Sequence, residues 1–272
     1  MKSGSVRQYI ILFVSLLLIN CNSNPYRATN RSYKKQAKQL AKLLRQEPGN
    51  DSIVTGSWVG TTNFNLRKPD FVIIHHTAQN SCDQTLKTFT TVRTKVSAHY
   101  VICKDGTIHH MLNDYLRAWH GGIAKWGNNI DINSSSIGIE IDNDGFEPFT
   151  EQQIASLLKL LAALKKTYNI PTANFIGHAD IAPTRKNDPN VNFPWKQLAD
   201  SGYGYWWNDT TNVVVPEGFR PMDALRIVGY NVKDSAAVIQ TFKRKYEQID
   251  KSDTLDSASI KILYTLYRKY EQ

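Results

Sequence analysis

Residues 71–75 have the sequence FVIIH, a continuous apolar run that ends in a histidine. An uninterrupted run of β-branched and aromatic residues predicts a strand that is buried on both faces of a sheet. Leu86, Phe89 and Val92 follow at helical spacing, so a helix is expected after this strand. The pattern therefore indicates a sheet with helical cover, beginning near residue 71.

The chain beyond this strand supplies more elements of the same domain. Four further segments carry strand patterns: residues 98–102, 107–111, 136–141 and 174–178. Asp105-Gly106 between the first two is a strong hairpin signal. Thr150 begins a T-x-x-Q capping box ahead of an amphipathic helix. Strands and helices mix through residues 51–207, which predicts an α/β fold with a mixed central sheet flanked by helices.

The last part of the chain has an all-helical pattern. The apolar segment Pro221–Val228 ends at Gly229, a typical C-terminal cap. Asp234 and Asp256 each precede a further segment with apolar residues along one side. Three short amphipathic helices predict a small separate three-helix domain over residues 212–272.

The composition is that of a globular protein with a basic surface. The 272 residues are 41% hydrophobic and 21% charged, and the formal net charge is +9. A chain of this length buries a substantial core unaided, so a metal ion here is expected to be catalytic and not structural. A positive charge attracts polyanions. No basic run interleaved with aromatics indicates a nucleic-acid groove, so nucleic acid is not an expected partner. A dedicated polyanion site and an ordinary solvated basic surface both remain open.

The first residues indicate export. Lys2 and Arg7 precede an apolar stretch at residues 9–19, which is shorter than the roughly 20 residues of a permanent membrane span. This arrangement is typical of a secretory signal peptide, here residues 1–20. The sequence LINC that ends at Cys21 resembles a bacterial lipobox, which implies acylation of Cys21 and a lipid anchor in a membrane.

Residues 21–50 are rich in polar and basic side chains and are interpreted as a tether, with a short helical segment near residues 34–45. Cys21 is not followed by aspartate, which by analogy with enteric sorting favours the outer membrane, with the protein facing the periplasm. Cys82 and Cys103 remain as a possible disulfide in an oxidising compartment. Nothing in the sequence places them within bonding distance, and two separate buried thiols are the favoured expectation.

Two histidines and an aspartate are candidate metal ligands. His75 and His178 each close an apolar strand, where a rigid scaffold presents side chains to a cleft, and Asp188 follows ten residues after His178. Two imidazoles and one carboxylate leave a fourth coordination position open, which is the arrangement of a catalytic zinc site. Taken singly, each histidine is more often a packed or a surface residue than a metal ligand.

Glu140 is the candidate general base. Along residues 136–141 the isoleucines alternate onto one face, while Ser136, Gly138 and Glu140 share the other. Glutamate is uncommon in strands, and Gly138 leaves space on its own face. A carboxylate in a roomy cleft beside a metal ion suits a general base. The alternative is an edge-strand glutamate that faces solvent.

Six ordered blocks of sequence resemble the type-2 N-acetylmuramoyl-L-alanine amidase family, which includes lipoprotein members. The blocks are IIHHTA at residues 73–78, SAHY at 97–100, RAWHGG at 117–122, SIGIE at 136–140, GHADIAPTRKNDP at 177–189 and FPW at 193–195. The resemblance covers roughly residues 71–206, and six blocks in order are far more specific than any one motif. It implies hydrolysis of the amide bond between N-acetylmuramic acid and L-alanine in peptidoglycan or muropeptides.

The same resemblance implies roles for individual residues. His75, His178 and Asp188 are the implied Zn²⁺ ligands, Glu140 the catalytic carboxylate, and Lys186 a cation that stabilises the oxyanion. A junction of sugar and peptide also needs a long groove, which Trp119 and His120 are expected to line. A core position for Trp119 is the alternative.

The C-terminal helices resemble the small peptidoglycan-binding domain of the lipoprotein members, and a plain stabilising domain is the alternative. Two other functions stay open at this point. One is a peptidoglycan-recognition protein that binds without cutting; the other is a zinc hydrolase of a different amide. The retention of all three implied ligands and of Glu140 argues against the non-catalytic reading.

Overall fold

The computed structural model describes residues 24–45, 61–63 and 65–271. Contacts divide the chain into two units, Met1–Thr62 and Asn63–Gln272. The described part of the first unit is one helix, α1 (Arg27–Leu43), none of whose residues is buried. The helical segment expected near residues 34–45 is therefore confirmed, and it begins earlier than the sequence predicted. Within the described residues, no helix is both long enough and apolar enough to cross a membrane.

A five-stranded mixed sheet forms the centre of the second unit. Its strands are β1 (Phe71–His76), β2 (Tyr100–Ile102), β3 (Ile108–His110), β4 (Ser136–Ile141) and β5 (Phe175–Gly177). They lie in the order β3-β2-β4-β1-β5. β1 pairs in parallel with β4 and β5, and β2 pairs in parallel with β4. Only β2 and β3 are antiparallel, joined by the predicted turn at Asp105-Gly106. The predicted α/β fold is thus confirmed.

Helices cover both faces of the sheet. In chain order they are α2 (Cys82–Thr90), α3 (Ile132–Ser135), α4 (Glu151–Tyr168), α5 (His178–Ile181), α6 (Trp195–Asp200), α7 (Pro221–Val228), α8 (Ser235–Tyr246) and α9 (Ser257–Tyr270). The capping box predicted at Thr150 begins α4, with both reciprocal hydrogen bonds formed. Leu157 and Leu161 of α4 pack in one hydrophobic cluster with Val72 and Ile74 of β1. This cluster is the core on one side of the sheet.

The second hydrophobic cluster lies against the opposite face and joins the C-terminal helices to the sheet. It includes Ile73 of β1 and Ile176 of β5 together with Leu225 of α7, Phe242 of α8 and Leu263 of α9. The three helices were expected to form a separate domain, but their apolar faces pack into a core shared with the α/β part. The division of function between an α/β domain that ends at residue 207 and a helical domain that begins at residue 212 stays a prediction.

Cys82 and Cys103 form a disulfide, so the expectation of two separate thiols is wrong. Cys82 is the first residue of α2, and Cys103 directly follows β2. Their Cα atoms lie 5.3 Å apart, which is within the normal range for a disulfide. The bond is made possible by the packing of α2 beside β2, which spacing along the chain does not reveal.

Candidate metal centre and active site

Sheet register brings the predicted site residues to one edge of the sheet. His75 near the end of β1 is the register partner of Glu140 near the end of β4, so their side chains share a face. On the other side of β1, Ile74 pairs with Gly177 of β5, and His178 follows immediately. The carboxyl ends of three parallel strands therefore meet here, the usual place for a ligand site in an open α/β sheet.

His75, His178 and Asp188 form a buried triangle of ligand atoms. His75 Nδ1 lies 2.9 Å from His178 Nδ1 and 3.1 Å from Asp188 Oδ2. The remaining side, from His178 Nδ1 to Asp188 Oδ2, is 3.0 Å. All three residues are at most 5% exposed. Around a tetrahedral zinc ion with ligands at about 2.0 Å, neighbouring ligand atoms lie about 3.3 Å apart. The triangle therefore fits one face of such a site.

Both histidines are held in the tautomer that a metal ligand needs. His178 Nε2 donates to the carbonyl oxygen of Gly121 at 3.1 Å, which leaves its Nδ1 lone pair facing Asp188. Burial lowers the pKa of His75 to about 4, so its imidazole is neutral at pH 7. A neutral imidazole with its second nitrogen hydrogen-bonded is the form that coordinates metal ions.

A hydrogen-bonded chain continues from His75 into the core. His75 Nε2 lies 3.1 Å from His120 Nδ1, and His120 Nε2 lies 3.2 Å from Ser136 Oγ. Ser136 Oγ donates in turn to the carbonyl oxygen of Ile132 at 2.6 Å. The Ile132 carbonyl can only accept, so the Ser136 hydroxyl accepts from His120 Nε2, and His120 Nδ1 accepts from His75 Nε2. The lone pair of His75 Nδ1 therefore points into the triangle.

His120 was expected to line the substrate groove, and the structure corrects that assignment. The residue is only 8% exposed and lies between His75 and Ser136. Its ring fills the space left by Gly138, where an added Cβ would meet His120 Cγ at 2.5 Å. The gap above Gly138 is therefore occupied by an imidazole that supports His75 and is not part of an open cleft.

Trp119, its neighbour, is 52% exposed, so the alternative of a core position is wrong. Its backbone is held by Ser97, whose Oγ accepts from the Trp119 amide at 3.0 Å. The indole thus lies on a loop that is hydrogen-bonded to Ser97 and that also carries His120 and Gly121. Its role in lining a groove stays a prediction.

Glu140 supplies the second carboxylate of the site, which is not part of the ligand triangle. Burial, followed by the negative charge of Asp188, raises its pKa well above the ordinary value, and the positive charge of Lys186 opposes that rise. Its Oε2 is buried and has no hydrogen-bond partner among the described residues. A carboxylate with a raised pKa and a free oxygen suits proton transfer. Glu140 is the register partner of His75, and β4 is an inner strand of the sheet, so the edge-strand alternative is wrong. The role of Glu140 as general base stays a prediction.

Lys186 lies within electrostatic range of the same groups. Its charge lowers the pKa of both His75 and Glu140. The preceding residue, Arg185, was given no role from the sequence. Its Nη2 donates to the carbonyl oxygens of Gly121 and Ile123, each at 2.8 Å, and so fixes the loop whose Gly121 carbonyl orients His178.

His76, next to His75 on β1, points to the other side of the strand. Its Nδ1 accepts from the Asn190 amide at 3.1 Å. It is not one of the three residues of this site, His75, His178 and Asp188, whose ligand atoms could hold an ion.

A buried ion pair connects the His178 turn to the C-terminal helices. Asp180 Oδ2 accepts from the Gly177 amide at 2.7 Å and from Lys245 Nζ of α8 at 2.6 Å. Asp180 Oδ1 accepts from the Tyr230 hydroxyl at 2.7 Å. Lys245 also lies 4.2 Å above the Trp195 ring. No local pattern along the chain indicates this support, since its members are up to 65 residues apart.

A mixed sheet that brings two imidazoles, an aspartate and a buried glutamate to the ends of its parallel strands is typical of metal-dependent hydrolases. A sequence profile of N-acetylmuramoyl-L-alanine amidases matches residues 65–191. The amidase AmiD of Escherichia coli K12 is 31% identical over 232 residues, which cover 74% of this chain and 83% of that protein. The chain belongs to the N-acetylmuramoyl-L-alanine amidase family.

Solved structures agree with this assignment. A structure of E. coli AmiD with the substrate anhydro-N-acetylmuramic acid-L-Ala-D-gamma-Glu-L-Lys superposes with a TM-score of 0.68 at 28% identity, covering 78% of this chain and 94% of that one. AmpDh3 of Pseudomonas aeruginosa with anhydromuramic pentapeptide gives a TM-score of 0.69 at 28% identity, covering 80% and 98%. The resemblance predicted from the six sequence blocks is confirmed.

Proposed function

We propose that this protein is a zinc-dependent hydrolase that cleaves the amide bond between N-acetylmuramic acid and L-alanine in peptidoglycan or in muropeptides released from it. The buried triangle of His75, His178 and Asp188 beside Glu140 is the observation that carries the proposal. The muropeptide ligands of the related AmiD and AmpDh3 structures support the substrate class. All three donors suit zinc, and a set of three protein ligands leaves a fourth coordination position for water or substrate.

A zinc ion held by the three ligands supplies Lewis acidity at the scissile carbonyl. Glu140 accepts a proton from the attacking water and delivers it to the departing α-amino group of L-alanine. The raised pKa of Glu140 suits both steps, because the carboxyl then both gains and releases a proton readily. Lys186 stabilises the negative charge that develops on the carbonyl oxygen, a contribution of about 3–4 kcal/mol.

The protein is further proposed to be a lipoprotein of the outer membrane that faces the periplasm. Residues 1–20 act as the signal peptide and Cys21 as the acylated residue; both lie outside the described residues. The basis is the apolar stretch at residues 9–19 followed by the lipobox-like LINC. Labelling with a palmitate analogue would test this assignment, since a Cys21→Ser variant should lose the label.

The decisive experiment uses purified muropeptides and mass spectrometry of the products. Release of a free stem peptide that begins at L-alanine supports the amidase, whereas intact substrate in bound form would support the non-catalytic recognition protein. A different cleavage position would indicate another hydrolase.

Glu140→Gln should separate catalysis from metal binding. We expect turnover to fall by about 10²–10⁴, because the general base is lost. Zinc content should be unchanged, because Glu140 is outside the ligand triangle. Asp188→Ala is the matched variant: it removes a ligand, so zinc content itself should fall. Near-normal turnover of Glu140→Gln would remove this residue from the mechanism.

A further inference from the structure

Helix α1 concentrates positive charge on the part of the chain that precedes the amidase unit. Residues 24–45 contain seven basic residues and no acidic residue. The basic residues are Arg27, Arg31, Lys34, Lys35, Lys38, Lys42 and Arg45. Since the formal net charge of the whole chain is +9, this short segment carries most of the excess.

The charges lie on one face of the helix. At about 100° per residue, the six basic residues within Arg27–Leu43 fall within an arc of about 100°, and Arg45 follows the end of the helix. Tyr33, Ala37, Leu40 and Leu44 form a narrow apolar stripe on the opposite side, at spacings of four, three and four. A purely solvated helix does not need this separation of basic and apolar faces.

Both faces are available for a partner. Leu40 is 47% exposed and Leu44 is 79% exposed. Residues 24–45 contain no carboxylate that could neutralise the basic face, and the rest of this segment leaves the leucines exposed.

We propose that α1 lies flat on an anionic phospholipid bilayer, with Leu40 and Leu44 in the interface and the basic side chains on lipid phosphates. Helices with Lys/Arg on one side and Leu or aromatic residues on the other bind membranes in this way. An anionic polymer would match the charge but would not use the apolar stripe, so the leucines favour the bilayer. The contact extends the proposed anchoring, because it uses the helix itself and needs no acyl chain.

The test measures the depth of single positions in the protein without its proposed signal peptide, residues 21–272, so that the apolar stretch at residues 9–19 cannot itself bind the vesicles. A Cys21→Ser background removes the acylation site, and Cys82 and Cys103 are bonded to each other, so an introduced cysteine is the one free thiol. An environment-sensitive fluorophore is placed by Leu40→Cys on the apolar stripe or by Lys38→Cys on the basic face. Each protein is mixed with vesicles of phosphatidylcholine alone or with phosphatidylglycerol added.

With phosphatidylglycerol present, the label at position 40 should shift to shorter wavelength and become several-fold less accessible to iodide. The label at position 38 should stay accessible. About 0.5 M salt should reverse the change, because the Debye length then falls to about 4 Å. Equal iodide quenching at position 40 on both kinds of vesicle would overturn the proposal. Shielding by isolated peptidoglycan but not by vesicles would overturn it in favour of a polymer partner.

A charge-matched pair of variants tests the cations. Lys34→Gln/Lys38→Gln/Lys42→Gln should abolish the shielding at position 40. Lys87→Gln/Lys159→Gln/Lys166→Gln removes three exposed lysines from the amidase unit and should leave the shielding intact. Cleavage of soluble muropeptides should be equal in both, so that failure of membrane contact is distinguished from failure of the amidase. Equal loss of shielding in both variants would mean that only the net charge of the protein matters, which would contradict the proposal.

Discussion

Lys186 is linked to Glu140 through charge, and this gives a pH-dependent prediction. Lys186 lowers the pKa of Glu140, so its removal lets that pKa rise further. In Lys186→Met the acid limb of the kcat/KM profile should therefore move to higher pH, because Glu140 must be ionised to accept a proton. Turnover should also fall by about 10²–10³ through loss of oxyanion stabilisation.

A pH series on soluble muropeptides checks both effects. Lys186→Arg retains the positive charge, so its acid limb should stay near the position of the unmodified protein. An acid limb that moves to lower pH in Lys186→Met would contradict the assigned coupling.

Substitutions of the adjacent residues His120 and Trp119 are expected to affect different quantities, metal affinity for His120 and KM for Trp119. His120→Ala breaks the hydrogen-bonded chain that orients His75, and loss of such a partner typically weakens metal affinity about 10–100-fold. Trp119→Ala should leave metal affinity unchanged and raise KM, because its half-exposed ring is outside the chain. Zinc titration with a competing chelator, together with steady-state kinetics, distinguishes the two. Equal zinc affinities in all three proteins would mean that His120 does not support the site.

At the scale of secondary-structure elements, α8 supports the metal centre through Lys245. Lys245→Met leaves Asp180 without its charged partner, and breaking a buried pair in this way costs about 3–5 kcal/mol. Because Asp180 also holds the Gly177 amide beside His178, zinc affinity should fall as well.

Lys243→Met is the control from the same helix. Lys243 is equally buried but donates to the Thr254 carbonyl, away from the metal ligands. The Lys243→Met substitution should lower stability with little effect on the metal site. The absorption spectrum of the Co²⁺-substituted protein reports the geometry of that site. Tyr230→Phe, which removes one hydrogen bond to Asp180, gives a milder test if Lys245→Met does not fold. Identical Co²⁺ spectra for Lys245→Met and Lys243→Met would contradict a supporting role.

Local signals in the sequence predicted the elements well. The run at residues 71–75, the turn at Asp105-Gly106 and the cap at Thr150 each depend on neighbours along the chain, and all three are where they were expected. The convergence of His75 and His178 could be predicted because both lie where apolar strands end, and parallel strands end at one edge of the sheet. The Cys82–Cys103 bond could not, because it depends on how α2 packs beside β2.

The position of His120 was missed for a related reason. An imidazole next to an exposed tryptophan suggests a groove, and only the space at Gly138 shows that the ring turns inward. The link from Asp180 to Tyr230 and Lys245 was missed because long-range buried polar contacts leave no periodic pattern in a sequence.

For the whole molecule, the shared hydrophobic cluster predicts that the C-terminal helices cannot be removed without damage. A chain that ends at residue 211 would expose Ile73, Ile176 and Ile181, which pack against α7, α8 and α9 in the complete protein. We expect this truncation to be largely insoluble on expression, because large exposed apolar patches favour aggregation. The soluble fraction and the melting temperature measure this. A soluble, cooperatively folded product with zinc bound would instead establish an independent domain.

The contacts of Asp180 also set an order of events during synthesis. His75, His178 and Asp188 all leave the ribosome before Tyr230 and Lys245 do, so a growing chain has its three donors before the groups that hold one of them in place. On the proposed function, we therefore expect tight zinc uptake to be a late step that follows the docking of α8. The compartment in which the final helices settle would then be the one that provides the ion.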